Sequence, residues 1–237
     1  MLVGILQPSY LPWLGFFEQM ARVDCFVLYD DVQYDKQGWR NRNRIKNREG
    51  IQWITVPILT KGKRSQFINQ AQICLDSNWS IKHLASLETN YRNADYFNNF
   101  FFKIEPLLKK QWQNLFDLNF ELLNLLKEHL GIKTQLVLSS SLLKKLPKDA
   151  SPESRLIEIC EKVGGDTLYE GAAGQNYIDT RLFKKANIGL IYQQYDHPVY
   201  KQLYGDFVPY LSIVDLIFNE GPNSLSILEL KNKGMTS

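Results

Sequence analysis

Two apolar runs, residues 2–6 and 25–29, are short and do not alternate, and between them Trp13, Phe16, Phe17 and Met20 recur at helical spacing. Unalternating runs of this length belong to strands covered on both faces, the habit of parallel sheets. A helix between two such strands makes a β-α-β unit, and nothing else in the chain narrows the fold as far. The alternation returns later, with a strand at 135–138, a helix from Ser151-Pro152-Glu153 to Gly164-Gly165, a strand at 167–169, a helix at 174–185 and a strand at 188–193. Residues 53–58, with Pro57 near their end, read as one more strand of the same sheet. The interruption is helical throughout. Asp76 and Ser77 are good N-caps ahead of Trp79, Leu84, Leu87 and Tyr91. Helical spacing continues over 95–104 and 106–130, with Pro106 as a first-turn residue and Gly131 as the stop. The expected architecture is a single α/β domain over 1–237, a mainly parallel, Rossmann-like layered sheet with a helical insertion at about 77–130.

Composition agrees with a globular chain, at 44% hydrophobic and 22% charged residues. Cys25, Cys74 and Cys160 are isolated from one another, which argues against a disulfide framework or a cysteine-rich zinc site and fits a reducing compartment. Residues 1–17 lack a basic leader and contain Gln7, Pro8 and Pro12 where an apolar helix would run, so a secretory signal is not expected. Residues 96–126 are broken by Lys103, Glu105, Lys109 and Lys110, so no membrane span is expected either. A cytoplasmic location follows from these points. Net charge is only +3, but residues 36–64 hold nine basic side chains against Glu49 alone, leaving −5 for the remainder. A local basic field on an acidic body favours an anionic partner there, and its interleaving with Trp39, Asn41, Asn43 and Trp53 suits a stacked and forked ligand.

In open α/β sheets ligands bind beyond the carboxyl ends of the strands. That rule selects residues 7–13, 30–44, 139–141 and 170–177. In the first, Gln7 and Tyr10 are polar at a strand end and suited to ligand contact, while Trp13 and Phe17 read as core. In the second, Asp30 and Asp31 follow the strand, and adjacent strand residues point to opposite faces, so Asp31 is the one expected to face a site while Asp30 pairs with an arginine. Lys36 and Arg42 are the expected clamps for phosphate or carboxylate, with Gln33, Trp39, Asn41 and Asn43 beside them. In the fourth, Glu170 and Tyr177 join the candidate substrate-binding set.

Near the C-terminus, His197 lies in a loop after the last strand, where a general acid or base would stand; Asp31 is the other candidate base. His83 and His129 fall in helices and read as surface or capping residues. Tyr200, Gln202, Ser212, Asp215 and Asn219 form a polar set in an apolar stretch, and such groups find partners when buried. They either satisfy one another or converge on a ligand with the N-terminal loops. No GxGxxG, GxxxxGK[ST], GxSxG, HExxH or EF-hand pattern occurs, which removes the commonest dinucleotide, P-loop, hydrolase and zinc-protease readings. Cys25, in mid-strand, reads as core rather than nucleophile.

The segments ILQPSYLPWLGFF, VDCFVLYDDVQYDKQGWRNRNRI and YDHPVYKQLYGDFVPYLSIVDLIFNEG resemble, in order, the WbqC-like family. The resemblance implies an enzyme of surface-polysaccharide (O-antigen) or secondary-metabolite clusters, with transfer of an acyl or aminoacyl group to an amino sugar or similar amine as the suggested reaction. The donor would be a thioester or carrier-linked acyl group, which brings in an acyl carrier protein as a partner. The substrate would be a phosphate-bearing small molecule of the nucleotide-sugar kind; nucleic acid is not the expected partner. The first segment is also similar in position to the HxGH loop of nucleotidyltransferases, with Trp13-Leu14-Gly15-Phe16 in its place and both histidines missing. A Mg²⁺-dependent nucleotidyltransferase-like enzyme, with Asp30 or Asp31 on the metal, and a non-catalytic binding module therefore stand as alternatives.

Overall fold

Strand β1 (Leu2–Leu6) occupies the middle of a five-stranded sheet, flanked by β2 (Cys25–Leu28) and β6 (Thr167–Glu170), with β5 (Gln135–Leu138) and β7 (Gly189–Tyr192) at the edges. The computed structural model describes residues 1–63, 65–143 and 151–229. All four pairings in this sheet are parallel. Val3, Ile5, Cys25, Val27 and Leu168 face one layer, which contains Ile159 and Cys160 of α6 (Pro152–Val163) and Phe183 of α7 (Thr180–Lys185). Phe26, Leu28 and Tyr169 face the other, which contains α1 (Leu14–Arg22) and α8 (Ile213–Glu220). Both faces are covered, which is why the strands carry unbroken apolar runs. The fold is α/β with a Rossmann-like layout.

The remaining helices before β5 are α2 (Trp79–Tyr91), α3 (Phe97–Lys109) and α4 (Leu115–Leu130). Two details differ from expectation. The residue before α2 is Asn78, without a side-chain cap bond, because the Ser77 hydroxyl donates to the Cys74 carbonyl instead. Pro106 lies inside α3 rather than opening the next helix, close to its C-terminal end. Gly131 ends α4 in the left-handed region at φ 75°, as its position predicts. The helix expected over 174–185 is a 3₁₀ turn at Ala172–Asn176 followed by α7, whose start is set by Asp179 accepting from the Arg181 N–H. Short helices α5 (Ser139–Leu142) and α9 (Ser224–Glu229) complete the set.

One strand assignment is corrected. Residues 53–58 do not join the parallel sheet; β4 (Gly50–Thr55) pairs antiparallel with β3 (Arg42–Asn47) in a separate two-stranded ribbon. Asn47 pairs directly with Gly50, and so tight a reversal permits only an antiparallel partner. Along β3, Asn43 and Ile45 are buried while Arg42 and Arg44 reach outward, a strand alternation written in amides and guanidinium groups.

The chain moves from β1 to β2 and β5 on one side, then crosses back to β6 and β7 on the other. The carboxyl ends of β1 and β6 therefore flank a topological switch point, where α/β folds hold their ligands. Among the described residues no helix is long and apolar enough to cross a membrane.

Candidate functional site

A cleft of about 350 Å³ opens at the carboxyl end of β1, lined by Leu6, Gln7, Ser9, Pro12, Trp13, Phe16, Trp39, Arg40, Asn43, Arg44 and Tyr210. Its floor is the loop between β1 and α1, held from several sides. The Tyr10 N–H donates to the Arg40 carbonyl (3.1 Å) and the Ile213 N–H to the Pro12 carbonyl (2.8 Å). Asn43 donates from Nδ2 to the Leu11 carbonyl at 2.6 Å and to the Tyr10 carbonyl at 3.3 Å. Leu11 is fully buried in the left-handed region, at φ 43°, a conformation that persists only where the surroundings impose it. The Trp13 indole lies over the first turn of α1: a Cβ on Gly15 would come within 2.1 Å of that ring. Glycine is required there.

The charge in the cleft comes from arginine. Arg40 donates from Nη1 to the Gln7 carbonyl (2.9 Å) and the Ser9 hydroxyl (3.0 Å), while its Nε is buried with no partner. Burial pulls the Arg40 guanidinium down to about 10. Arg44 donates from Nη2 to the Tyr210 carbonyl (2.8 Å) and stacks over Trp39 at 5.2 Å. Arg42 stacks over Trp53 at 4.8 Å and donates to the Gln37 carbonyl. Trp39 and Trp53 lie 5.2 Å apart and are 41% and 47% exposed, so the ribbon carries a ladder of rings and guanidinium groups on its open side. Among the described residues none of Arg40, Arg42 and Arg44 forms an ion pair, in contrast to Arg22, Arg155 and Arg181. Three cations without ion-pair partners among the described residues thus stand at or beside one cleft.

Of the residues selected from sequence, Gln7, Trp39 and Asn43 line the cleft, and Arg42 stands next to it on the ladder. Gln33 and Lys36 lie apart, on an open depression formed with Tyr34, Asp35 and Gln37. Asn41 is buried and donates to the Val56 carbonyl at 2.7 Å. Tyr10 is in the core: its hydroxyl meets His83 Nδ1 at 2.9 Å, and His83 is buried too, contrary to its expected surface position.

Asp31 is committed elsewhere. It pairs with Arg155 and accepts from the Ser139 hydroxyl (2.5 Å), so Asp31 rather than Asp30 holds the arginine. Asp30 is buried, accepting from the Ser139 hydroxyl and the Ser140 N–H. His197 has both ring nitrogens in use, Nδ1 at the Pro198 carbonyl (2.9 Å) and Nε2 accepting from the Tyr210 N–H (3.0 Å). Burial lowers its pKa. That geometry suits a brace for Tyr210, which sits at φ 59°, better than a proton carrier. Tyr200 and Gln202 surround Asp215, which accepts from the Tyr91 hydroxyl (2.7 Å), the Tyr200 hydroxyl (2.8 Å) and Gln202 Nε2 (3.0 Å). Asn219 donates to the Asp215 carbonyl and Ser212 caps α8. These groups satisfy one another, and the C-terminal segment reaches the cleft through Tyr210 instead. Glu170 is buried at the end of β6, and burial pushes its carboxyl up to about 7 against the opposing pull of hydrogen bonds from the Gly171 N–H and the Tyr177 hydroxyl.

Sequence reasoning did not single out Arg40, Arg44 or Tyr210, and it read Trp13 as core where the half-buried indole lines the cleft. The two-residue period of Arg40, Arg42 and Arg44 was the available signal, since it puts all three on one side of a strand.

A doubly covered parallel sheet with a switch-point cleft walled by aromatics and arginines defines an α/β protein of Rossmann-like layout with a candidate ligand cleft. The chain belongs to the WbqC-like protein family, whose family model matches residues 7–227. It is similar to "Uncharacterized protein Rv1507c" of Mycobacterium tuberculosis, 41% identical over 221 residues that cover 92% of this chain and 94% of that protein. No solved structure matches the chain.

Proposed function

We propose that this protein is a transferase that joins an acyl or aminoacyl group to the amine of a nucleotide-linked amino sugar, or a similar amine, with the cleft beyond β1 as its substrate site. The observation that carries the reading is the set of Arg40, Arg42 and Arg44, without ion-pair partners and arrayed with Trp39 and Trp53 at the switch point. Rings and forked cations in one place recognise a ligand that is planar in one part and anionic in another, as a nucleotide is. Cys25 and Cys160 are buried with both thiols raised by burial, and neither they nor the half-buried Cys74 line the cleft. The reading is therefore direct transfer between two bound substrates, with positioning and charge as the protein's contribution. A proton must leave the attacking amine. Glu170 ends the neighbouring strand on the Leu168 side of the sheet and does not line the cleft, so the proton passes to the departing thiolate or to water.

Mass analysis of the sugar-nucleotide pool in cells lacking the gene tests this reading. Accumulation of an unacylated amino-sugar nucleotide is the expected result, and an unchanged pool contradicts it. Magnesium-dependent release of pyrophosphate by the purified protein would favour nucleotidyl transfer instead.

A further inference from the structure

The free edge of one guanidinium limits what the cleft can hold. Both hydrogens of Arg40 Nη1 are taken, by the Gln7 carbonyl and the Ser9 hydroxyl. Among the described residues its Nε is buried and without a partner, and its side-chain hydrogen bonds all leave from Nη1. What remains is the side-on edge, two parallel N–H bonds in one plane, whose complement is a pair of coplanar oxygens. Leaving the buried Nε without an acceptor is costly, since such a donor loses its hydration for nothing.

Beside the polar Gln7, Ser9, Asn43 and Arg44, the cleft is walled by apolar and aromatic side chains. Where dinucleotide-binding folds open the N-terminus of the first helix to a phosphate, this chain lays the Trp13 indole across Gly15. Phe16 and Tyr210 continue that wall. Arg44 presents its face to Trp39 and commits Nη2 to the Tyr210 carbonyl. The cleft thus sets a helix start covered by the Trp13 ring beside the side-on edge of Arg40 and the buried Nε of Arg44.

We propose that the cleft takes a carboxylate carried on an apolar body, with the two oxygens on the Nε–Nη2 edge of Arg40 and the body against Trp13, Phe16 and Tyr210. This rests on the reading above that the cleft is the ligand site, and it names the chemistry of the ligand there. Phosphates of a second substrate then fall to Arg42 and the outer ladder. The carboxylate-bearing acyl or aminoacyl partner occupies the interior.

Calorimetric titration of the intact protein with 3-phenylpropanoate, 3-phenylpropanamide and 2-phenylethyl phosphate tests the assignment, because the three share a body and differ in the head. The carboxylate should bind about tenfold or more tighter than the amide, the worth of a charge-assisted pair. Arg40→Lys, which keeps the charge and removes the fork, should lose that preference. Should Arg40→Lys fail to fold, the ¹H–¹⁵N Hε resonance of Arg40 in the wild-type protein gives the same answer, shifting with the carboxylate and not with the amide. Equal binding of acid and amide would overturn the proposal, as would tighter binding of the phosphate ester. Absence of binding by all three would remove the cleft as ligand site as well, so the two failures are distinguishable.

Discussion

Asn43 donates to the carbonyl of Leu11 at 2.6 Å, and Leu11 stands in the left-handed region at φ 43°. One amide on the ribbon thereby fixes the loop that floors the cleft, 32 residues away in the chain. Asn43→Ala leaves the Leu11 and Tyr10 carbonyls without a donor in a buried place. It should lower unfolding free energy by about 1–3 kcal/mol, read from urea midpoints. It should also weaken ligand binding in the cleft, since the loop loses its clamp.

Gly15 tests the placement of the Trp13 indole. Gly15→Ala puts a methyl group 2.1 Å from that ring, so either the indole moves or the helix start shifts. Overpacking of this kind costs about 1–3 kcal/mol. A changed tryptophan emission spectrum together with a lowered melting temperature is the expected outcome.

Acid should loosen the same loop through His83. Its ring is buried against Tyr10 with its pKa lowered from 6.5 to about 4, chiefly by burial. The folded value lies below the unfolded one, so the neutral ring's contribution is complete above pH 6.5 and is lost as pH falls through about 4. The loss amounts to about 3 kcal/mol. Urea unfolding between pH 7 and pH 4 should show a steeper decline for the wild-type protein than for His83→Gln.

The sheet was legible because burial on both faces writes itself into the strands as unbroken apolar runs. The ribbon was not, since β3 reads Arg-Asn-Arg-Ile-Lys-Asn and buries Asn43, Ile45 and Lys46, a mixture of amide, apolar and basic side chains in place of an apolar–polar alternation. The basic segment was legible as the place to expect an anion, but choosing Arg40 over Lys36 as the cleft residue needs the positions of the Gln7 carbonyl and the Ser9 hydroxyl. Asp31 and His197 looked like bases for their places after strands. Their partners, Arg155 and the Tyr210 N–H, are 124 and 13 residues away, and pairings of that kind leave no local trace.

His197 separates bracing from proton transfer. If it holds Tyr210 in place, His197→Gln retains an acceptor for the Tyr210 N–H and should keep affinity for anions within about tenfold of wild type. His197→Leu should weaken it further by removing the acceptor. A loss of turnover of about a hundredfold or more in His197→Gln, with affinity intact, would instead mark a general acid or base.

The most direct test of the arginine cleft is the affinity of a folded Arg40→Gln/Arg44→Gln double variant for a nucleoside diphosphate and for 3-phenylpropanoate, measured by calorimetry beside the wild-type protein. Both ligands should weaken by about tenfold or more, with an unchanged circular dichroism spectrum. Wild-type affinity for both ligands in that double variant would contradict the account.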